Sequence, residues 1–537
     1  MIKAQLEELL KETIKDLGFL SPTDIVLTIS ENSDFGDYST NIPLQLSKQQ
    51  HQKTYQNPRE IASAILEKLG HPHFIERIEI AGPGFLNFFI KSEYLAKSLS
   101  EILEKNSEFG KNNSGNGKKV QVEFISANPT GPLTLANGRG GAIGDSLANI
   151  FSSCGYEVDR EYYLNDTGNQ IRTLGESVLA ASGLLPKKES HYQAGYIQEL
   201  ADRFNEQTEL EPQELGHMLA DYLLDNEIKP AISKLGIKFD SFFSERSLYP
   251  EKIETAVAIL KDKNLAYEKD GALWFKAKDF GDTEDRVLMT SEEGRGRAEP
   301  TYFLADIAHH IAVFEKGFEF RVNILGADHH SYMHRLQSVL DALGYKNQSQ
   351  VILMQMIRLF KEGKEIRMSK RAGNFVTLDE LLAEIPADVA KFFFLMYAPT
   401  SHINFDLDLA KDSSDKNPVF YTQYAHARMC SILKKQEFDP KIANLDLLVE
   451  IDELELIKEL LEFPGLILKT SKDFQVHLLT NYARKIAELT NRFYEKHSVM
   501  AAGNEGLVQA RMALVKSSQI VLKSTLDILG VSAPERM

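Results

Sequence analysis

Between residues 119 and 153 the chain changes its hydrophobic period, and that change restricts the fold more than any other stretch. Lys119-Val120-Gln121-Val122-Glu123-Phe124-Ile125 alternates as a β-strand does. Pro129, Gly131 and Pro132 then interrupt it, and apolar residues recur at helical intervals from about Gly141 to Ser153. A strand, a Gly/Pro turn and a helix in that order predict an α/β nucleotide fold. At such a turn the free N–H groups and dipole of the helix favour a polyphosphate, although a glycine cluster taken alone is equally compatible with a plain tight turn. Strand-like Val322-Asn323-Ile324-Leu325, then Gly326, a helix from about Ser331 and a strand at Val351 to Met354 resume the same rhythm.

The rest of the chain divides around this core. With 537 residues and a prior of about 150 per domain, several domains are expected. Gly110-Lys111-Asn112-Asn113-Ser114-Gly115-Asn116-Gly117 is too polar and glycine-rich for a packed element, so residues 1–112 form a small N-terminal α/β domain with strands at Phe74 to Ile80 and Phe85 to Ile90. The α/β core is assigned to 118–387. Within it lies a mostly helical insertion at about 170–290, with a hairpin at Lys269-Asp270-Gly271. From Asp388 to Met537 apolar residues return every three or four positions, as in Leu478 to His497 and Leu507 to Leu529, predicting an all-α helical bundle.

Charge and cysteine content narrow the function. A net charge of −16 argues against indiscriminate nucleic-acid binding while allowing a local basic groove. Two cysteines, Cys154 and Cys430, cannot build a disulfide framework or a four-cysteine zinc site, which points to a reducing, cytoplasmic setting. The stretch Met1 to Leu20 reads as an amphipathic surface helix, and no run of about 18 apolar residues exists to span a membrane. His309-His310 and His329-His330 lack metal-ligand spacing, so no structural zinc is expected.

Two segments carry the chemistry. The first is Glu123 through Gly141, including Ser126-Ala127-Asn128-Pro129-Thr130-Gly131-Pro132-Leu133 and Thr134-Leu135-Ala136-Asn137. The second is a cation-rich run from Lys361 to Asn374 with Arg367-Met368-Ser369-Lys370 at its centre, placed where a mobile loop brings an ammonium onto transferring phosphates. Together they resemble the paired signatures of class I aminoacyl-tRNA synthetases, His-x-Gly-His and Lys-Met-Ser-Lys. Gly326-Ala327-Asp328-His329-His330, Asn417 through Arg428 and the terminal Ala533-Pro534-Glu535-Arg536-Met537 make the likeness specific to arginyl-tRNA synthetases, over essentially the whole chain. The departure is in the first signature, where both histidines are absent and Ala136 stands in place of glycine. Thr134 and Asn137 still offer hydrogen bonds but no imidazolium, and the Ala136 methyl crowds an adenine packed there.

That resemblance implies a Rossmann-like catalytic core and an arginine:tRNA ligase that uses ATP with Mg2+, L-arginine and arginine tRNA and acts as a cytoplasmic monomer. It implies phosphate contacts from Thr134, Asn137, Ser369 and Lys370, and nucleotide contacts from Pro129, Gly131, Leu133, Ala136, Gly138 and Met368. Glu123 and Asp306 would recognise the substrate's charge, Tyr302 would wall its pocket, and Asn128 and Asp328 would orient its amino and carboxyl groups. The plainer alternative is that Glu123 and Asp306 pair with nearby Arg or Lys. Phe35, Tyr38, Tyr421, Tyr424, Arg428 and Met537 would face tRNA, since aromatic planes and a cation suit splayed bases. A non-catalytic synthetase-like tRNA-binding protein with a decayed phosphate site is the alternative function.

Overall fold

The computed structural model describes residues 2–20, 25–30, 33–49, 55–207, 209–291, 298–327, 330–366, 377–440 and 443–537. Five parallel strands form the central sheet, in spatial order Ser349–Met354, Phe320–Gly326, Lys119–Glu123, Glu157–Leu164 and Ser241–Ser244. The chain starts in the middle, steps outward twice in one direction, then returns to the other side of its first strand. Lys119–Glu123 and Phe320–Gly326 therefore flank the point where strand order reverses, and a ligand crevice opens beyond the carboxyl ends of such strands.

The helix after the first strand spans Leu135–Ser153, six residues earlier than its periodicity suggested. Glycines lower helix propensity, which hid this first turn and a half. They are there for close packing, because a Cβ on Gly144 would lie 2.1 Å from Phe124 Cγ in the strand below. The polar linker forms turns, fastened by hydrogen bonds from Asn112, Gly115 and Gly117 N–H groups to the carbonyls of Ser153, Cys154 and Gly155.

Around the core, an antiparallel sheet of Thr28–Ile29, Tyr38–Thr40, Phe85–Ile90 and Ile75–Ala81 builds the N-terminal unit with helices Ile2–Asp16 and Pro58–Leu69. The expected hairpin joins Ala266–Lys269 to Ala272–Phe275, with Asp270 and Gly271 both at positive φ (51° and 72°), and a third strand, Arg286–Met289, extends it. Helices Pro418–Leu433, Ile451–Leu461, Phe463–Asp473, His477–Lys496 and Glu505–Ile528 form the C-terminal bundle. One strand, Ile403–Asp406, interrupts the helical pattern after residue 388 and pairs in parallel with Ile357–Lys361.

Polar ties lock the bundle to the core. Buried Lys391 donates to the carbonyls of Gly236 and Gly530 and lies 3.5 Å from Asp145 on the Leu135–Ser153 helix. One turn further along, Asn149 donates to Ile528 O at 3.1 Å. Lys458 of the bundle meets Asp37 of the N-terminal unit at 2.9 Å, and Asp37 also accepts from the Ile90 N–H.

Candidate active site and RNA-facing surfaces

Between the first strand and its helix the chain turns through Ile125 and Ser126, both at positive φ (65° and 39°). Tyr162 OH donates to Ala127 O and Tyr196 OH to Thr130 O, which hold this strained turn open over the crevice. Thr134 caps the helix. Its hydroxyl and backbone N–H both donate to Asn137 Oδ1, at 2.8 and 2.9 Å, and Asn137 N–H returns to the Thr134 oxygen. The Thr134 proton, expected on a phosphate, is thus spent on orienting Asn137. The Asn137 Nδ2 donors have no partner among the described residues.

Of the expected nucleotide contacts, Ala136 is exposed and Gly131 half-buried, with Tyr196 OH 2.8 Å from where a Gly131 Cβ would sit. Pro129, Leu133 and Gly138 are instead buried: Leu133 joins the core, and Gly138 is closed in by Leu378 and Phe394. These three line the inside of the turn. Met368, Ser369, Lys370 and Asp328 lie outside the described residues. The second signature nevertheless emanates from a hairpin, Ile357–Lys361 with Lys364–Ile366, and ends where Thr377 bridges Thr134 and Leu378 N–H donates to Leu133 O. The Thr377 end is thereby fastened beside the first signature.

Across the crevice, helix Tyr302–Glu315 places Tyr302 and Asp306 one turn apart on one face. Tyr302 is 56% exposed. Asp306 accepts hydrogen bonds from Tyr332 OH, and its Oδ1 lies 3.2 Å from His310 Nδ1. Burial works to raise the Asp306 pKa, but His310, Tyr332 and Arg321 outweigh it and hold the carboxyl well below its usual range. Glu123, at the carboxyl end of the first strand, is held by Arg321 and by Asn323 Nδ2 at 2.6 Å. The arginine pairing weighed against substrate recognition is therefore present for Glu123, on one of its two oxygens. Asn128 is exposed at the rim.

The sequence reading missed Glu245. It follows the last strand of the sheet, is 2% exposed, and accepts from Tyr163 OH (3.0 Å), Thr167 Oγ1 (2.8 Å) and Tyr249 OH (3.4 Å). Burial pushes its carboxyl up despite these bonds, and burial together with the Glu245 charge raises Tyr302. A half-exposed phenol near the Glu245 carboxylate and one turn from that of Asp306 suits a flat organic cation. Glu123, Glu161 and His309 also lie close enough to share a cation, and the Arg321 guanidinium takes that role.

On the N-terminal unit a cavity of about 420 Å³ is lined by Thr28, Ser30, Phe35, Ser39, Phe85 and Asn87. Phe35 is 55% exposed there, whereas Tyr38 is fully buried. Successive strand residues face opposite ways, so Ser39 meets the cavity and Tyr38 the core, which corrects the expectation for Tyr38. Phe85 and Asn87, missed before, were signalled by the alternation after Gly82-Pro83-Gly84. In the bundle, Tyr424 and Arg428 are exposed on one face, Phe420 stacks on Tyr424, and the Arg428 guanidinium lies 4.8 Å from the Tyr494 ring centroid. Tyr421 is half-buried, and Met537 is 54% exposed.

Known proteins share this plan. Residues 4–90 match the family "Arginyl tRNA synthetase N terminal domain", residues 98–213 and 217–391 match "tRNA synthetases class I (R), catalytic domain", and residues 422–537 match "DALR anticodon binding domain". The arginine–tRNA ligase of Carboxydothermus hydrogenoformans is 43% identical, covering 94% of this chain and 92% of its own. That of Geobacillus kaustophilus is 40% identical, covering 100% of both chains. Among solved structures, Thermus thermophilus arginyl-tRNA synthetase superposes with a TM-score of 0.82 at 24% identity over 100% of both chains. The Campylobacter jejuni protein described as a putative arginyl-tRNA synthetase gives 0.75 at 29% identity, covering 83% of this chain and 100% of its own. These likenesses favour a catalytic chain over a non-catalytic binder, and with three family matches in order from residue 4 to 537 the chain belongs to the arginyl-tRNA synthetase family of class I.

Proposed function

We propose that the chain ligates arginine to its tRNA in two steps. The arginine carboxylate attacks the α-phosphorus of ATP, forming arginyl-adenylate and releasing pyrophosphate. A ribose hydroxyl of the tRNA's 3′-terminal adenosine then attacks the activated carbonyl and releases AMP. No protein nucleophile is required; the residues position groups and stabilise charge.

The observation that carries this reading is the meeting of a capped helix N-terminus and an acidic, aromatic pocket at one reversal point of the sheet. Asp306, Glu245 and Glu123 receive the substrate's cations beside Tyr302, and Asn128 with Asp328 orients its amino and carboxyl groups. Asn137, aimed by Thr134, donates to phosphate, while Gly131 and Ala136 border the nucleotide. Ser369 and Lys370 meet the pyrophosphate, and Met368 contacts the nucleotide. Magnesium accompanies ATP through phosphate oxygens and water. The cavity at Phe35, Ser39, Phe85 and Asn87 takes an unstacked base of tRNA, and Tyr421, Tyr424, Arg428 and Met537 border the anticodon arm. Residues 1–112, 118–387 and 388–537 act as outer-corner, catalytic and anticodon domains of a cytoplasmic monomer.

Arginine-dependent exchange of labelled pyrophosphate into ATP tests this directly, with and without total tRNA. Exchange with arginine and tRNA, and none with lysine or glutamine, is the expected result. A folded chain that exchanges under no condition overturns it.

A further inference from the structure

Parallel strands covered on both faces ordinarily bury apolar side chains. One face of this sheet is polar instead. Gln121 and Glu123, Asp159 and Glu161, and Arg321 and Asn323 stand in matched register on three adjacent strands. Arg321 is fully buried at their centre. Its Nη2 donates to Glu123 Oε2, to Glu161 Oε1 at 3.2 Å and to His309 Nδ1 at 3.2 Å. Because Nδ1 of His309 accepts this bond, the ring proton belongs on Nε2, 2.9 Å from Glu161. Burial and the Arg321 charge both push the His309 pKa down, so the ring is neutral. Burial pushes Glu161 up, yet its contact with His309 Nε2 and the Arg321 charge hold it below its usual range. One internal guanidinium thus faces two carboxyl groups, Glu123 and Glu161.

Glu123 is held asymmetrically within this cluster. Its Oε2 accepts from both Arg321 and Asn323, while Oε1 has no partner among the described residues. We propose that Arg321 is a positioning residue for the amino-acid substrate: with Asn323 it clamps Oε2 of Glu123, so that Oε1 is presented to a substrate cation at the strand end. The proposal rests on reading Glu123 as substrate-facing. A guanidinium suits this task because it stays charged when buried and its planar Nη2 fixes the direction of the bond to Oε2. The groups facing Arg321 are Glu123 and Glu161 from the neighbouring strands and His309 and Asp306 from the covering helix; Lys316 acts on Glu161 from further along that helix.

The test compares Arg321→Met and Arg321→Lys with the double variant Arg321→Met/Glu161→Gln, which removes the cation and one of its two carboxylate partners together and so lessens the buried charge left unpaired. Pyrophosphate exchange by the wild-type full chain with arginine and tRNA first establishes the site's function independently of Arg321. In the double variant the arginine KM should rise at least about tenfold, with the ATP KM within about twofold. The kcat at saturating arginine should stay within about threefold, since the loss is one of positioning the substrate and not of the chemical step. Arg321→Lys, which keeps the charge without the planar guanidinium, should recover arginine KM only in part. An unchanged arginine KM in the folded double variant, or parallel rises in both KM values, would overturn the proposal.

Discussion

Replacing Gly144 by alanine sets helix propensity against packing. Alanine is favoured over glycine inside a helix by about 1 kcal/mol. The added Cβ, however, would stand 2.1 Å from Phe124 Cγ and 2.5 Å from its Cβ. Restoring a normal carbon contact of about 3.5–4.0 Å requires a separation of about 1 Å or more. Phe124 cannot withdraw, since it is fully buried and stacked on Phe239 with ring centroids 4.4 Å apart. The helix must move instead, and it carries Thr134 and Asn137 at its start. Overpacking of this kind costs about 1–3 kcal/mol, and the overlap puts Gly144→Ala at the upper end, about 2 kcal/mol destabilising after the propensity gain. Misplacing the phosphate end by about 1 Å should lower exchange by about 10²-fold, with tRNA affinity within about threefold. Gly465→Ala is the control: it lies exposed in helix Phe463–Asp473 with no atom within 4 Å of the new Cβ, and should stabilise by about 0.5–1 kcal/mol. Exchange within about twofold of wild type and an unchanged unfolding midpoint for Gly144→Ala would refute the reasoning.

Asp306→Asn should raise the arginine KM by about tenfold or more and leave the ATP KM nearly unchanged, as exchange kinetics would show; equal effects would remove Asp306 from the pocket. The acid limb of arginine binding should belong to Glu245. Its pKa is raised by burial, so it gains a proton first as pH falls, whereas Asp306 is depressed and keeps its charge and its contribution to stability until pH drops below the ordinary carboxylate range. Glu245→Gln should flatten that limb in calorimetric titrations at several pH values. Phe85→Ala should weaken tRNA binding about tenfold through lost stacking, measured by filter binding, with the amino-acid KM untouched. Arg428→Ala should weaken it too and reduce the salt slope by about 0.7–0.9 if one phosphate contact is lost.

How legible each part was depended on whether its signal is local. Alternation located Lys119–Glu123, and the Asp-Gly turn located the hairpin, because strand period and positive φ are properties of a few consecutive residues. The phase of a strand is less accessible: nothing within Tyr38-Ser39-Thr40 says which side meets the core, so Tyr38 was given to RNA and Ser39 overlooked. Glu245 was invisible for a different reason. It stands far along the chain from Glu123, within the stretch read as a helical insertion, and only the order of parallel strands brings both to the carboxyl end of the sheet. Asp306 was a candidate because the Tyr302–Asp306 spacing resembles the family's pocket, yet its partner Tyr332 comes from the next helix and leaves no trace in that spacing.

The ties from Lys391 and Asn149 to the carbonyls of Gly530 and Ile528 carry a consequence for the order in which the molecule is completed. Asn149 and Ile528 are 379 residues apart. At roughly 5–20 residues per second, the ribosome needs roughly 20–75 s to pass from one to the other. Throughout that interval the C-terminal part of the helix bearing Thr134 and Asn137 lacks polar partners that it has in the finished fold. The helix that opens the catalytic crevice is thus among the first parts of the core to be made and among the last to be secured.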